Sequence, residues 1–271
     1  MPFLERHDGC RLYFEVHDQR EPSTAPPDPS PLLLLEGMGG DIPGWRRNLP
    51  HLAARLPVVA YDFRGNGRSD KPDRPVTITT FVRDSIALLD FLGVARSHVY
   101  GQSLGGMVAL EMALTEAARV RSLILAAMHA GSTGAPLPGR WPKVPKDKPY
   151  LALYSDAFAR EHPDHVAEDI LVGSQNPQPP YAGRLQWEAA RAWDAWDRLS
   201  RVACPTLILH GTEDRLIAVE NARRMAAAIP GAELVLLEGA GHVYHSEQPA
   251  AADGAVLAFR SRVEAGAMNA P

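Results

Sequence analysis

Three short stretches of the chain hold residue types that together support nucleophilic catalysis. Gly101-Gln102-Ser103-Leu104-Gly105 places a serine between small residues. Asp214 closes His210-Gly211-Thr212-Glu213-Asp214, and His242 closes Gly239-Ala240-Gly241-His242. An alcohol is a poor nucleophile near neutral pH, so Ser103 needs a base, and an imidazole with an ordinary pKa of about 6.5 suits that task. The imidazole needs a carboxylate to fix its tautomer and to stabilise it once protonated. The order serine, aspartate, histidine discriminates, because unrelated triads run in other orders.

Competing residues sit beside each candidate. Glu213 is the rival carboxylate to Asp214, whose plainer role is capping a turn before Leu216. His245 rivals His242, but the Gly-x-Gly-His context favours His242 and leaves His245 to cap or line the final helix. His210 reads as structural, fixed at a strand end. For Ser103 the plainer role is a small residue in a tight turn.

The elements around these residues explain how they could meet. His98 to Gly101 reads as a strand and Met107 to Ala118 as a helix, so Ser103 falls on a strand-to-helix turn. Such a turn forces the serine into a strained conformation, relieved by the flanking glycines, and aims the helix N-terminus at the reacting centre. Pro2 to Arg6 and Arg11 to His17 flank Asp8-Gly9 as a hairpin. Leu32 to Glu36, Val58 to Tyr61, Val120 to Ala127, Thr206 to His210 and Glu233 to Leu237 read as further strands. Between them lie helices over Trp45 to Arg55, Thr79 to Leu92 and Val219 to Ile229, with a last one after Glu247. Strand alternating with helix predicts an α/β fold with a mostly parallel, doubly wound sheet and an N-terminal antiparallel hairpin. Ser103, Asp214 and His242 then share the C-terminal strand edge, where ligands bind in such sheets.

The texture changes over residues 130–200, with nine prolines and four of the five tryptophans of the chain. This stretch reads as an inserted lid, leaving 1–129 and 201–271 as the core. Trp141 and Trp187 in the lid, together with Glu36, Gln102 and His245, are candidate pocket residues; the lid tryptophans equally suit holding the lid to its core.

Composition narrows the classes. With 271 residues, 45% hydrophobic and 22% charged, the chain has material for a large core, and its net charge of −4 gives no basic footprint for nucleic acid or an anionic membrane. Its apolar runs fall short of the roughly 18 residues needed to span a bilayer, and Met1 to Asp8 carries charges where a signal peptide needs an apolar stretch. Two cysteines, Cys10 and Cys204, make no disulfide framework, so a cytoplasmic protein acting on a small molecule, as monomer or homodimer, is expected. Gly37-Met38-Gly39 and Gly65-Asn66-Gly67 fail as dinucleotide fingerprints because Ile42 and Asp70 stand where the third glycine belongs. His162-Pro163-Asp164-His165 has metal-like residue types but no further ligands nearby. Neither cofactor nor metal is expected.

With these motifs in place the sequence resembles the α/β-hydrolase family, most closely its small bacterial esterase, enol-lactonase and haloperoxidase-like branch. The resemblance rests on Leu32 to Gly40, Tyr61 to Asp70, Gly101 to Gly106, Leu209 to Asp214, and Gly239 to His242 followed by Glu247-Gln248-Pro249. It implies that Ser103 is the nucleophile, Asp214 the acid and His242 the base, with an oxyanion hole made of the Met38 and Leu104 amides. It implies a hydrolase of carboxylic esters or lactones working through an acyl-enzyme. The same triad serves acyltransferases, perhydrolases and carbon–carbon bond hydrolases, and some receptors of this fold bind without turnover. Two positions depart from the family pattern: Glu36 and Asn66 stand where histidine is usual. A carboxylate at 36 bears on the oxyanion loop and on anionic substrates.

Overall fold

The computed structural model describes residues 3–20, 30–131, 133 and 149–266. Eight strands form one sheet in the order β1-β2-β4-β3-β5-β6-β7-β8. They are β1 (Phe3–Glu5), β2 (Arg11–His17), β3 (Leu32–Leu35), β4 (Val58–Tyr61), β5 (Ser97–Gln102), β6 (Val120–Ala126), β7 (Thr206–Gly211) and β8 (Glu233–Leu237). The hairpin β1–β2 joins β4 antiparallel, and every pairing from β4 to β8 is parallel.

Period-two alternation sends successive side chains to opposite faces. Leu33, Leu35, Val59, Val99, Leu123 and Ile208 pack on the side of α2 (Ile78–Phe91) and α3 (Leu104–Thr115). Leu32, Leu34, Val58, Tyr100, Ile124 and Leu207 pack on the side of α1 (Leu49–Ala53) and α9 (Pro249–Glu264). Both faces are covered, which is why these strands read as unbroken apolar runs. Helix α2 starts with a capping box in which the Thr77 and Thr80 side chains satisfy each other's backbone amides.

Between β6 and β7 lie α4 (Asp156–Glu161), α5 (Pro163–Gly173) and α6 (Pro180–Ala192), followed by a 3-10 segment at Trp196–Arg201. The chain closes with α7 (Glu220–Ala228), β8, α8 (Tyr244–Glu247) and α9. Two helices differ from the sequence reading. The one expected over Trp45 to Arg55 is a 3-10 turn at Ile42–Trp45 followed by the five-residue α1, with Pro50 in its first turn; proline lacks an N–H and is accommodated only at a helix start. Helix α3 begins at Leu104 rather than Met107, because the serine turn feeds it directly.

The loop after β4 is anchored by charge. Arg64 donates from Nε and Nη2 to the two Asp84 oxygens at 2.6 and 2.8 Å, and Arg6 adds a third bond at 2.9 Å. The Arg64 and Asp84 side chains are buried. Removing Asp84 leaves the buried Arg64 with the single carboxylate of Asp8, at 2.8 Å from Nη1, and two of its nitrogens without partners. Asp84→Ala is therefore expected to cost about 3–5 kcal/mol, read as a lower denaturant midpoint at unchanged slope; a loss under about 1 kcal/mol would show that this loop is not anchored by the pair.

Candidate active site

Ser103 sits between β5 and α3 at φ 54°, ψ −115°, a conformation that costs a non-glycine residue about 1–3 kcal/mol. The neighbouring glycines are required by close approach. A Cβ at Gly101 would lie 2.1 Å from the Gly105 carbonyl oxygen, and one at Gly105 would lie 2.1 Å from that of Leu35. The elbow is held by the Ser103 amide donating to the Ala126 carbonyl at 2.8 Å. Ser103 is half-buried. As the first residue of α3, Leu104 has an amide with no intrahelical acceptor.

The loop leaving β3 packs against this elbow: a Cβ at Gly37 would come within 3.3 Å of Ser103 Cβ. In that loop the Gly37 amide donates to Glu36 Oε1 at 3.0 Å, Gly39 to Gln186 Oε1 at 3.4 Å and Gly40 to the Gly37 carbonyl at 3.2 Å. The Met38 amide has no acceptor among the described residues. Its side chain is 37% exposed, so Met38 does not fill the core.

Asp214 and His242 meet directly. His242 Nδ1 donates to Asp214 Oδ2 at 2.8 Å, and both residues are buried. Asp214 Oδ1 accepts the Leu216 and Ile217 amides, each at 2.9 Å. His210 Nε2 lies 3.3 Å from Asp214 Oδ2 and donates to the Ile217 carbonyl at 2.8 Å. Burial alone would raise the Asp214 carboxyl, but the facing His242 and His210 more than offset it and hold it far below the usual carboxylate range. Glu213, the rival, is exposed. The capping role and the histidine contact fall on the same aspartate, one on each oxygen.

Among the described residues no hydrogen bond joins the Ser103 hydroxyl to His242. The two segments are linked instead by Gln102 Nε2, which donates to the His242 carbonyl at 3.3 Å. Gln102 is buried and so acts as a brace. A second brace is Glu247, which sequence reasoning placed in a motif but gave no task. Its Oε1 accepts the Gly241 and Ser155 amides at 3.0 and 3.1 Å, and its Oε2 accepts the Ser155 hydroxyl at 3.0 Å. It therefore ties the turn before His242 to the N-cap of α4.

The remaining pocket candidates scatter. His245 is buried with its ring 4.8 Å from that of Trp45, and burial brings it down to about 4. Trp187 stands 53% exposed on α6, and Trp141 lies outside the described residues. Among the described residues no group of three or more histidine, cysteine, aspartate or glutamate side chains could hold a metal ion, and no helix is long and apolar enough to cross a membrane.

Glu36 is the unusual acid. Its side chain fills space left by two glycines: a Cβ at Gly40 would lie 2.3 Å from Glu36 Cγ, and one at Gly44 would lie 3.2 Å from Oε2. Oε2 is buried without a hydrogen-bond partner. Burial pushes the carboxyl up to about 7, against the opposing pull of the Gly37 amide. An unfolded glutamate ionises at 4.5, so between 4.5 and about 7 the folded state holds a proton that the unfolded state has lost. Folding stability therefore falls as pH rises through that window, and the penalty is complete above it. Glu36→Gln cannot ionise. It is expected to be more stable than the wild type at pH 8 by up to about 3 kcal/mol, with the difference vanishing toward pH 4.5. Thermal unfolding of both proteins across pH 4.5–8.5 checks this, and a pH-independent difference would exclude a titrating Glu36.

The family model described as Alpha/beta hydrolase family matches residues 32–252. The chain belongs to that family, and as a hydrolase it has close company. A putative carbamate hydrolase RutD of Variovorax paradoxus is 31% identical over 269 residues, covering 94% of this chain and 97% of that protein. A hydrolase from Pseudomonas aeruginosa superposes with a TM-score of 0.79 at 29% identity, covering 95% and 97% of the two chains. Est816, described as an N-acyl homoserine lactone degrading enzyme, superposes at 0.77 with 27% identity, covering 95% of this chain and all of its own.

Proposed function

We propose that this chain is a serine hydrolase of carboxylic esters and lactones. The observation that carries the reading is the strained Ser103 turn at the start of α3, packed against a loop with a free amide and braced to a buried His242–Asp214 pair. His242 takes the Ser103 proton as Oγ attacks the substrate carbonyl carbon. Catalytic hydrogen bonds of this kind tighten in the substrate complex, so the serine–histidine contact forms on binding. The carbonyl oxygen becomes an oxyanion held by the Met38 and Leu104 amides, each donor worth about 3 kcal/mol to the transition state. The carbon–oxygen bond to the leaving alkoxide breaks and His242 returns the proton to it, leaving an acyl-Ser103. Water, deprotonated by His242, attacks this ester in turn; the acid leaves and Ser103 regains its proton.

Asp214 stays ionised throughout, orienting His242 and stabilising it when protonated. The reaction as written needs no cofactor, and the partner is a small apolar or aromatic molecule in a cytoplasmic setting. Carbamates form a second substrate class, supported by the relatives named for that activity at about the same identity across the whole chain. Attack by Ser103 on a carbamate carbonyl follows the same course, with a nitrogen on the acyl side.

A fluorophosphonate is expected to form one adduct, mapped to Ser103 by peptide mass analysis, alongside turnover of p-nitrophenyl esters. Ser103→Ala should abolish the adduct and lower kcat by about 10⁴-fold or more, and Asp214→Asn should lower it about 10⁴-fold, with folding intact. Wild-type turnover in Ser103→Ala would overturn the mechanism. A panel pairing lactones with carbamates of matched size separates the two substrate classes.

A further inference from the structure

Asn66 stands where the family usually has histidine, and its surroundings give it a task. It is fully buried in the loop after β4. Its Nδ2 donates to the Gly40 carbonyl at 2.7 Å, while its Oδ1 accepts from Gln178 Nε2 at 2.7 Å and from Gln186 Nε2 at 2.8 Å. Gln186, also buried, turns its Oε1 to Gln178 Nε2 at 2.9 Å and to the Gly39 amide at 3.4 Å, and donates to the Arg64 carbonyl at 3.2 Å. Gln178 precedes α6 and Gln186 lies within it. A further contact runs from Asn176 Nδ2 to Asp41 Oδ2 at 3.2 Å.

The orientation of each amide is fixed by its neighbours. Flipping Asn66 would set its NH₂ against two donors and its oxygen against the Gly40 carbonyl. Two side chains of the insertion thus reach this loop directly, Gln186 at Gly39 and Asn176 at Asp41, and Gln178 reaches Gly40 through Asn66, all just past Met38 in the turn closed by Gly37 and Gly40. Gly39 leaves room for this contact: a Cβ there would lie 3.2 Å from Gln178 Oε1. Buried amides in low dielectric are directional and costly to leave unpaired, so the loop geometry depends on the insertion being seated.

We propose that Asn66, Gln178 and Gln186 are positioning residues that set the Met38 amide for oxyanion binding only when the helical insertion is docked. The inference rests on the reading of Met38 as an oxyanion donor. A displaced donor loses part of its transition-state stabilisation while ground-state binding, carried elsewhere in the pocket, stays.

The test uses the full-length protein with Gln186→Met, which keeps the side-chain length and removes both amide functions, and Asn66→Asp, which keeps an acceptor for the glutamines and loses the donor to Gly40. Three quantities are read: hydrogen exchange of the peptide spanning residues 36–44, the rate of Ser103 modification by a fluorophosphonate, and kcat and KM for p-nitrophenyl acetate. Both variants are expected to exchange faster in that peptide and to lose about 10- to 100-fold in modification rate and kcat, with KM within about threefold of wild type. Circular dichroism establishes that each variant is folded. If Asn66→Asp fails to fold, Gln186→Met decides. Unchanged exchange in residues 36–44 overturns the coupling, whatever the activity. Faster exchange with wild-type modification and kcat overturns the role in oxyanion binding. Wild-type protein that neither reacts nor turns over refutes the serine-hydrolase reading separately, and the exchange result then decides the coupling by itself.

Discussion

The backbone at Ser103 is the constraint on which the site depends. A serine held at φ 54° is tolerable only where the surroundings leave no alternative. Here β5 is paired along its length with β3 and β6, and α3 is buried over Leu104 to Ala113. The Gly101–Gly105 and Gly105–Leu35 approaches bring β5, α3 and the end of β3 into backbone contact. The loop bearing Met38 leaves from that same end of β3. Glycine-mediated backbone packing thereby fixes the start of α3 and the point where the Met38 loop departs, and leaves the loop beyond Gly37 to its own contacts.

Two carboxylates in the field of His242 shift in opposite directions, because burial raises both and only Asp214 meets enough donors to reverse it. Asp214 has two backbone amides on one oxygen and two imidazoles near the other, and it is held ionised. Glu36 has one backbone amide and an orphaned oxygen, and it is pushed toward the neutral acid. Both face the field of His242. In the proposed reaction, every proton that Glu36 retains takes a negative charge away from the loop that would hold the oxyanion, whereas an ionised Asp214 is what a protonated His242 would need.

Most of the frame was legible in the sequence because its signals are local. Leu32 to Leu35, Val58 to Tyr61 and Glu233 to Leu237 are short apolar runs between turn residues, and β2, β4 and β8 fall on the residues expected. The Gly-x-Ser-x-Gly turn is recognisable because its glycines answer a steric need within five residues. What could not be read is non-local. Nothing near Asn66 in sequence announces Gln178 and Gln186, more than a hundred residues away, and Glu247 gives no sign that its oxygens cap Ser155 and Gly241. Glu36 reads as a departure from a pattern, and its burial follows only from Gly40 and Gly44 folding over it. The helix expected over Trp45 to Arg55 is broken because Pro50 fits only in the first turn of a helix.

The helices between β6 and β7 are held to the sheet in a manner that differs from the packing of the sheet itself. Helix α4 buries no residue and α5 only Val166, while α6 buries Ala182, Leu185, Gln186, Ala189 and Ala190. Beside the apolar contacts of Ala190, Ala195 and Leu199 this segment has a polar set of attachments. Arg46 and Arg47 pair with Glu168 and Asp169, Ser246 also reaches Asp169, Glu247 holds Ser155, and the amides of Gln178 and Gln186 hold Asn66. Apolar contact scales smoothly with area and tolerates sliding; a network of buried hydrogen bonds has one satisfied arrangement and penalises every other. A small-residue face such as Ala182, Ala189 and Ala190 specifies little by shape. The polar seam therefore supplies the register, and because it ends on Gly39, Gly40 and Gly241, it transmits that register to the loops carrying Met38 and His242.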